Sequence, residues 1–496
     1  MTLKDLFIKC VIAFWIIDFT HTVFSADEAA KTPHKNILFI VCDDMNTYLL
    51  GNPGRYDGKV FAPNMTALAE SGVNFRQAYT ASPKCQPSRA SFLTGVAPWR
   101  SGLYDNGSEL SEAKFIYDVA SMGEHFQTNG YFVCSYGKIQ HGYLPNKNPK
   151  RPFRYDEYSE KKSDDPPKGA PLSGYGREKY DDDLAKGKDK IPSEDWGAYE
   201  NSFESNMDDT VKANKAIKLL EKDHEKPFFL LLGFFHPHQP FYAPRKYIDM
   251  YKDAPLPPMM NNPEDDLDDV PTPGKKLIND KFFEAINRYN EHHYLVESYL
   301  GCVTYTDVQV GRVLEALDKS RYKDNTIVVL ISDHGFHLGE KAHITKGTVW
   351  ECGANSLMMW RVPGVTKARQ VCETPVSLLD IYPTLCNLTG IGYPDHQLDG
   401  NSLVPLLKDI NTERHEPALM VQGGDEYTAH FALRYGKYRY IRYWNSEGEE
   451  LYDREMDPKE WTNLVGDKNY AEALSEMREL MPRQSEVAIP AGKRLD

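Results

Sequence analysis

Four uninterrupted apolar runs, each closed by polar residues, constrain this chain more than any other feature. They are Asn36-Ile-Leu-Phe-Ile-Val-Cys42, Tyr131-Phe-Val-Cys-Ser-Tyr136, Pro227-Phe-Phe-Leu-Leu-Leu-Gly-Phe-Phe235 and Thr326-Ile-Val-Val-Leu-Ile-Ser332. A strand without polar alternation must be covered on both faces. Helical segments can supply that cover: Ala213, Ala216, Ile217 and Leu220 repeat at helical spacing, as do Val310, Val313, Leu314 and Leu317. The pattern predicts an α/β fold, a mainly parallel sheet flanked by helices. Asp43-Asp44, then Lys138 and His141, then His236 and His238, then Asp333-His334 follow the four runs. Ligands of such sheets bind outside the carboxyl ends of the strands, so one site fed by all four is expected.

A length of 496 residues suits one large domain with a smaller companion. The last eighty or so residues change character. Tyr438-Arg-Tyr-Ile-Arg-Tyr-Trp444, the turn Asn445-Ser-Glu-Gly448 and Glu449-Glu-Leu-Tyr452 read as a hairpin, followed by a helix near Tyr470 to Leu480. The expected division is therefore a large α/β domain over 26–416 and a small C-terminal α+β subdomain, with an antiparallel sheet, over 417–496. The polar stretches from Pro145 to Trp196 and from Asp253 to Lys276 read mainly as solvated loops.

Lys4 and Lys9 form a short basic region ahead of the apolar run Cys10–Ile17, and Val23-Phe24-Ser25 offers a cleavage position. This predicts a signal peptide over 1–25, with an N-terminal anchor as the alternative reading and Asp18 interrupting the run in either case. The run is far short of the ~20 apolar residues that span a bilayer, and no later segment looks transmembrane, so no stable membrane insertion is expected. Export to a periplasm or secretion is the expected setting, with a lysosome-like compartment as the alternative. A formal charge of −14 argues against nucleic acid as a partner. It also means that an anionic substrate would need a local cationic pocket. The eight cysteines have no metal-finger spacing. Most should be buried thiols, and a Cys372–Cys386 disulfide is left open.

The most specific string is Cys85-Gln86-Pro87-Ser88-Arg89-Ala90-Ser91-Phe92-Leu93-Thr94-Gly95. Eight cysteines would yield one Cys-x-Pro-Ser-Arg by chance in about one such chain in a thousand. The string resembles the signature of the type I, formylglycine-dependent sulfatases. Gly137-Lys-x-x-His141, Pro237-His238-x-Pro240-Phe241 and Ser332-Asp-His-Gly335 are similar to the branch that holds iduronate-2-sulfatase and its bacterial relatives. The resemblance runs from about Lys35 to Leu388, with a weaker echo in Leu451-Tyr-Asp453 and Asp457-Pro458. Two departures, His236 for a lysine and Asn355-Ser-Leu-Met for a His-Val-Pro segment, are expected near the substrate rim.

The resemblance implies an alkaline-phosphatase-like fold and hydrolysis of sulfate esters on a sulfated carbohydrate, with a uronate 2-sulfate among the candidates. It implies that Cys85 is oxidised to formylglycine by a formylglycine-generating enzyme. An aldehyde hydrate has one hydroxyl to attack sulfur and a second whose deprotonation expels sulfate, whereas a serine or thiol would be trapped as an ester. A helix start after Pro87 would turn unpaired N–H groups toward the anion, and Arg89 suits the hydrate or a neighbouring carboxylate. Asp43, Asp44, Asp333 and His334, with the group at Cys85, match the ligands of one metal ion. Three carboxylates favour Ca2+, and the imidazole would also suit a transition metal. Lys138 and Lys346 match sulfate-binding lysines, His141 a contact of the formylglycine hydroxyl, and His238 the acid for the leaving oxygen. His236, His337 and His343 have no such match and are open as structural or substrate-contacting. The rival readings are a phosphodiesterase or phosphonate monoester hydrolase of the same superfamily, and a non-catalytic sulfoglycan-binding protein.

Overall fold

The run Asn36–Cys42 is an inner strand of an eight-stranded sheet. The computed structural model describes residues 35–52, 54–106, 118–141, 154–160, 171–186, 192–259, 266–423, 429–443 and 448–483. The expected signal peptide and most of the 445–448 turn lie outside the described residues. Across the sheet the strands are Gln370–Cys372, Val73–Phe75, Met358–Arg361, Thr326–Ser332, Asn36–Cys42, Phe228–Phe234, Phe132–Gly137 and Glu157–Glu160. Met358–Arg361 alone runs antiparallel to its neighbours. The four apolar runs thus lie side by side at the centre.

Successive residues of these strands point to opposite faces. Leu38, Ile40, Leu230, Leu232, Val328 and Leu330 pack under the helices Asp208–Leu220 and His292–Lys319. Ile37, Phe39, Val41, Phe229, Leu231 and Val329 meet Phe92, Leu93, Phe126, Ile381 and Leu385 on the other side. Both faces are therefore dry, as continuous apolar strands require.

Ala418–Gln422, His430–Tyr435, Tyr438–Arg442 and Glu449–Asp453 form an antiparallel four-stranded sheet in chain order, followed by the helix Ala471–Glu479. The hairpin register pairs Tyr438 with Asp453. Lys35–Asp496 is one compact unit. None of the described helices is long and apolar enough to cross a membrane.

Two expectations change. The first polar stretch holds the helix Gly174–Ala185 and the strand Glu157–Glu160 as well as loops, and ends on the first residue of the strand Trp196–Tyr199. Glu157–Glu160 escapes an apolar pattern because it is an edge strand and is only partly covered. Cys372 and Cys386 are free thiols, in line with the buried-thiol reading, and burial pushes both up. The signature helix starts at Cys85, not after Pro87. Pro87 is tolerated there because first-turn N–H groups have no intrahelical partner in any case.

Candidate active site

Strand register brings the polar residues together. Cys42 stands opposite both Phe234 and Ser332, so Asp43, Phe235 and Asp333 leave the sheet at the same level. On the next strand Gly137 pairs with Gly233, and a Cβ on either would run into the other strand's backbone. That close approach, with Gly137 at φ 76, turns the chain so that Lys138 follows at the sheet edge. The buried helix Cys85–Thr94 aims its N-terminus at the same place and ends on Gly95, in the left-handed conformation.

Cys85 lies at the middle of the group. Its Sγ is 3.0 Å from Lys346 Nζ, 3.4 Å from His334 Nε2, 3.9 Å from Lys138 Nζ and 3.9 Å from Asp44 Oδ1. Half-buried His141 adds a side-chain hydrogen bond to the sulfur. Burial alone would raise the thiol, but Lys138, Lys346 and His334 outweigh it and hold Cys85 well below its ordinary value. A negative atom is therefore favoured at this position.

Arg89, one turn along, spans two strand ends. Its Nε donates to Asp333 Oδ2 at 2.9 Å, one terminal nitrogen to Asp43 Oδ1 at 2.8 Å, and the other to the carbonyls of Lys138 and Ile139. Ser88 Oγ donates to the Asp333 carbonyl at 2.5 Å and accepts from Thr80 Oγ1 at 2.9 Å. Burial works against the Asp43 carboxylate, yet Lys138 and Arg89 hold it well below the usual range. Burial raises Asp333 to about 7 despite the pull of Arg89. His334 turns Nδ1 to the Gly335 carbonyl at 2.9 Å, which leaves Nε2 facing Cys85 and Asp44. Against the cost of burial, Asp333 and Cys85 push this imidazole up to about 9.

Asp44 sits at φ 59, which a non-glycine residue rarely adopts. Its N–H donates to Asp333 Oδ1 at 3.1 Å and its carbonyl accepts from Tyr299 at 2.9 Å. Its carboxylate receives Lys346 Nζ at 2.7 and 2.8 Å and lies 3.8 Å from His238 Nε2. His238 Nδ1 is bonded to the Gln239 carbonyl at 2.5 Å, and its imidazole is pushed down by burial and then by the two lysines.

Asp44, Cys85, Asp333 and His334 each offer a ligand atom within 4.8 Å of one another, and Asp43, Asp44 and His238 form a second such group. Carboxylates that otherwise hold Lys138, Arg89 and Lys346 among them fit a hard cation. All ten residues named from the sequence for catalysis and metal binding thus meet in one place. The two departures do not lie at a rim. His236 is fully buried, with Nδ1 2.8 Å from Asp209 Oδ2, and Asn355 donates to the carbonyls of Arg76 and Ala78. His337 is bonded to Thr348 at 2.6 Å, and His343 accepts from the Asn279 N–H at 2.8 Å, so these two imidazoles brace the loop around Lys346. Tyr299 and Asp209 are supports that the sequence pattern leaves unmarked, and Ser88, part of the signature string, gains its support role only from the fold.

Comparison with known proteins adds independent findings. The family model described as Sulfatase matches residues 35–391, and one described as N-sulphoglucosamine sulphohydrolase, C-terminal, matches 339–486. A sulfatase of Formosa agariphila is 33% identical over 463 residues, 90% of this chain and 86% of the relative. Iduronate 2-sulfatase of Mus musculus is 30% identical over 421 residues, 75% of this chain and 71% of the relative. The solved phosphonate monoester hydrolase of Silicibacter pomeroyi superposes with a TM-score of 0.72 at 21% identity, covering 90% of this chain and 94% of its own. At that identity the last likeness speaks for the fold alone.

Proposed function

This chain belongs to the sulfatase family and is a sulfuric ester hydrolase, and from that premise we propose that it is an exported, calcium-dependent enzyme that removes sulfate from a carbohydrate through formylglycine at position 85. The observation that carries this reading is the convergence of two lysines and a histidine on Cys85 Sγ, within 3.0 to 3.9 Å. Sγ stands in for the formylglycine oxygen. The maturation calls for a formylglycine-generating enzyme as a transient partner.

The residues divide the work. Lys138 and Lys346 bind sulfate oxygens and orient the ester for in-line attack. Converted to formylglycine, position 85 supplies an aldehyde hydrate, with one hydroxyl to attack sulfur and a second to release the sulfate. His238, whose Nδ1 hydrogen is held by the Gln239 carbonyl, acts in its imidazolium form and delivers the Nε2 proton to the departing sugar oxygen. Burial and then the two lysines push this imidazole down, and the bound sulfate offsets the lysines. His141 takes the proton of the second hydroxyl. Asp43, Asp44, Asp333 and His334 would hold calcium, which lowers the pKa of the hydrate and offsets charge on the sulfate. Arg89 keeps Asp43 and Asp333 in register for that ion.

A uronate 2-sulfate is one candidate sugar, since the murine relative is named for iduronate. The organisation proposed with this is a catalytic domain to residue 416 and a C-terminal subdomain from 417, just before the strand Ala418–Gln422. Comparing rates on a sulfate ester and on the matched phosphonate monoester tests the reaction class. A preference for sulfate is expected, and a preference for the phosphonate would move the assignment to the phosphoester branch.

A further inference from the structure

Lys346 sits midway along the segment 339–352, and both flanks of that segment are fastened to the C-terminal part of the chain. Upstream, the buried Lys341 Nζ donates to the Glu460 carbonyl at 2.6 Å and to Asp266 Oδ1 at 2.9 Å. Downstream, the Glu351 N–H donates to Glu460 Oε2 at 2.9 Å and Trp350 Nε1 to Glu450 Oε2 at 2.8 Å. Arg439, on the strand Tyr438–Arg442, donates to the Val349 carbonyl and to Glu351 Oε2. Glu460 therefore holds both sides of the lysine loop, one with its carbonyl and the other with its carboxylate.

The clasp is held in an uncommon backbone conformation. Lys341, Ala342 and Glu460 lie at φ 55, 52 and 58, and none is glycine. Such conformations persist only where surrounding contacts fix them. The Asp453–Leu464 turn that carries Glu460 is itself tied together. Asp457 accepts from the N–H groups of Lys459 and Thr462, and the Leu464 N–H donates to the Leu451 carbonyl at 2.8 Å. This gives the Leu451-Tyr-Asp453 and Asp457-Pro458 echo a physical task, since neither element touches Cys85.

We infer that Glu460, seconded by Lys341, is a positioning residue for Lys346: the C-terminal subdomain sets where the ammonium meets the sulfate. The inference rests on the reading of Lys346 as a sulfate-binding group. A lysine on a free loop would sample many positions, whereas one clamped on both flanks presents its charge at one.

A double-mutant cycle separates this role from plain stabilisation. Glu460→Ala, which removes the acceptor of the Glu351 N–H and leaves the backbone carbonyl in place, and Lys346→Ala are made singly and together in formylglycine-containing enzyme, and KM, kcat and inhibition by inorganic sulfate are measured on folded protein. In the Lys346 background, Glu460→Ala should raise KM and weaken sulfate inhibition about tenfold. In the Lys346→Ala background it should change neither. Equal losses in both backgrounds would mean a structural role only and overturn the inference. If Glu460→Ala fails to fold, Lys341→Met cuts the upstream flank alone and is read in the same way. Lys346→Ala without effect on either constant would overturn the sulfate-binding reading itself, and the inference with it.

Discussion

Lys346 places its Nζ 3.0 Å from Cys85 Sγ, across 261 residues of chain. The same ammonium bonds both carboxylate oxygens of Asp44, which, with Cys85 and Asp333, holds it well above its ordinary range against the cost of burial. Lys346→Ala should lower kcat/KM about a hundredfold, since a preorganised cation opposite developing charge is worth about 3 kcal/mol. Steady-state kinetics at saturating calcium measures this, and a change below threefold would argue that the lysine serves only to neutralise Asp44.

His238 should show its role through the leaving group. On a sugar sulfate, whose alcohol leaves poorly, His238→Ala is expected to cost about a hundredfold or more. On 4-nitrophenyl sulfate, whose phenolate needs little proton help, the loss should be only a few-fold, again by the same principle. Equal losses on the two esters would remove the acid role.

Arg89 has four acceptors and is fully buried with both acidic partners. Removing one member of a buried ionic group leaves uncompensated charge and typically costs about 3–5 kcal/mol. Arg89→Met should therefore lower unfolding free energy by about that amount without metal, and calcium should recover part of it. Denaturant titrations with chelator and with calcium measure the difference. A calcium-insensitive loss would count against Asp43 and Asp333 as ligands of the ion.

Acid should destabilise the loop around Lys346. His343 is pushed down to about 4 by burial, only partly opposed by its bond to the Lys346 carbonyl, and His337 moves in the same direction. The unfolded chain takes up these protons near pH 6.5, before the folded one does. Stability is thus fully present above that pH and is lost as pH falls toward 4, with a share for His343 of about 3 kcal/mol. In His343→Gln the drop in unfolding free energy between pH 7.5 and 4.5 should shrink measurably. An unchanged drop would contradict a neutral buried imidazole.

How much of this is legible in the sequence depends on the range of the cause. Asn36–Cys42 and Thr326–Ser332 match their strands residue for residue, because short β-branched apolar runs ended by carboxylates suit strands covered on both faces. Glu157–Glu160 escapes notice because an edge strand lacks that pattern. Cys85 and Arg89 announce themselves in one short string, and Lys346 is found only through family resemblance. Ser88 stands in that string, but its acceptor 245 residues away does not, and nothing local marks Glu460, 109 residues from the N–H it holds. His236 misleads for the same reason. Proximity to His238 in sequence suggests a shared task, but Asp209 draws it into the core.

The most direct test examines position 85 and the reaction together. Protein co-expressed with a formylglycine-generating enzyme is digested, the peptide spanning Cys85 is weighed, and the intact enzyme is offered defined uronate 2-sulfate, hexosamine sulfate and algal galactan oligosaccharides with calcium. The account expects the mass loss of thiol-to-aldehyde conversion, sulfate release from at least one saccharide, and none from Cys85→Ala. Full conversion with no sulfate released from any of them, or undiminished release by Cys85→Ala, would contradict it.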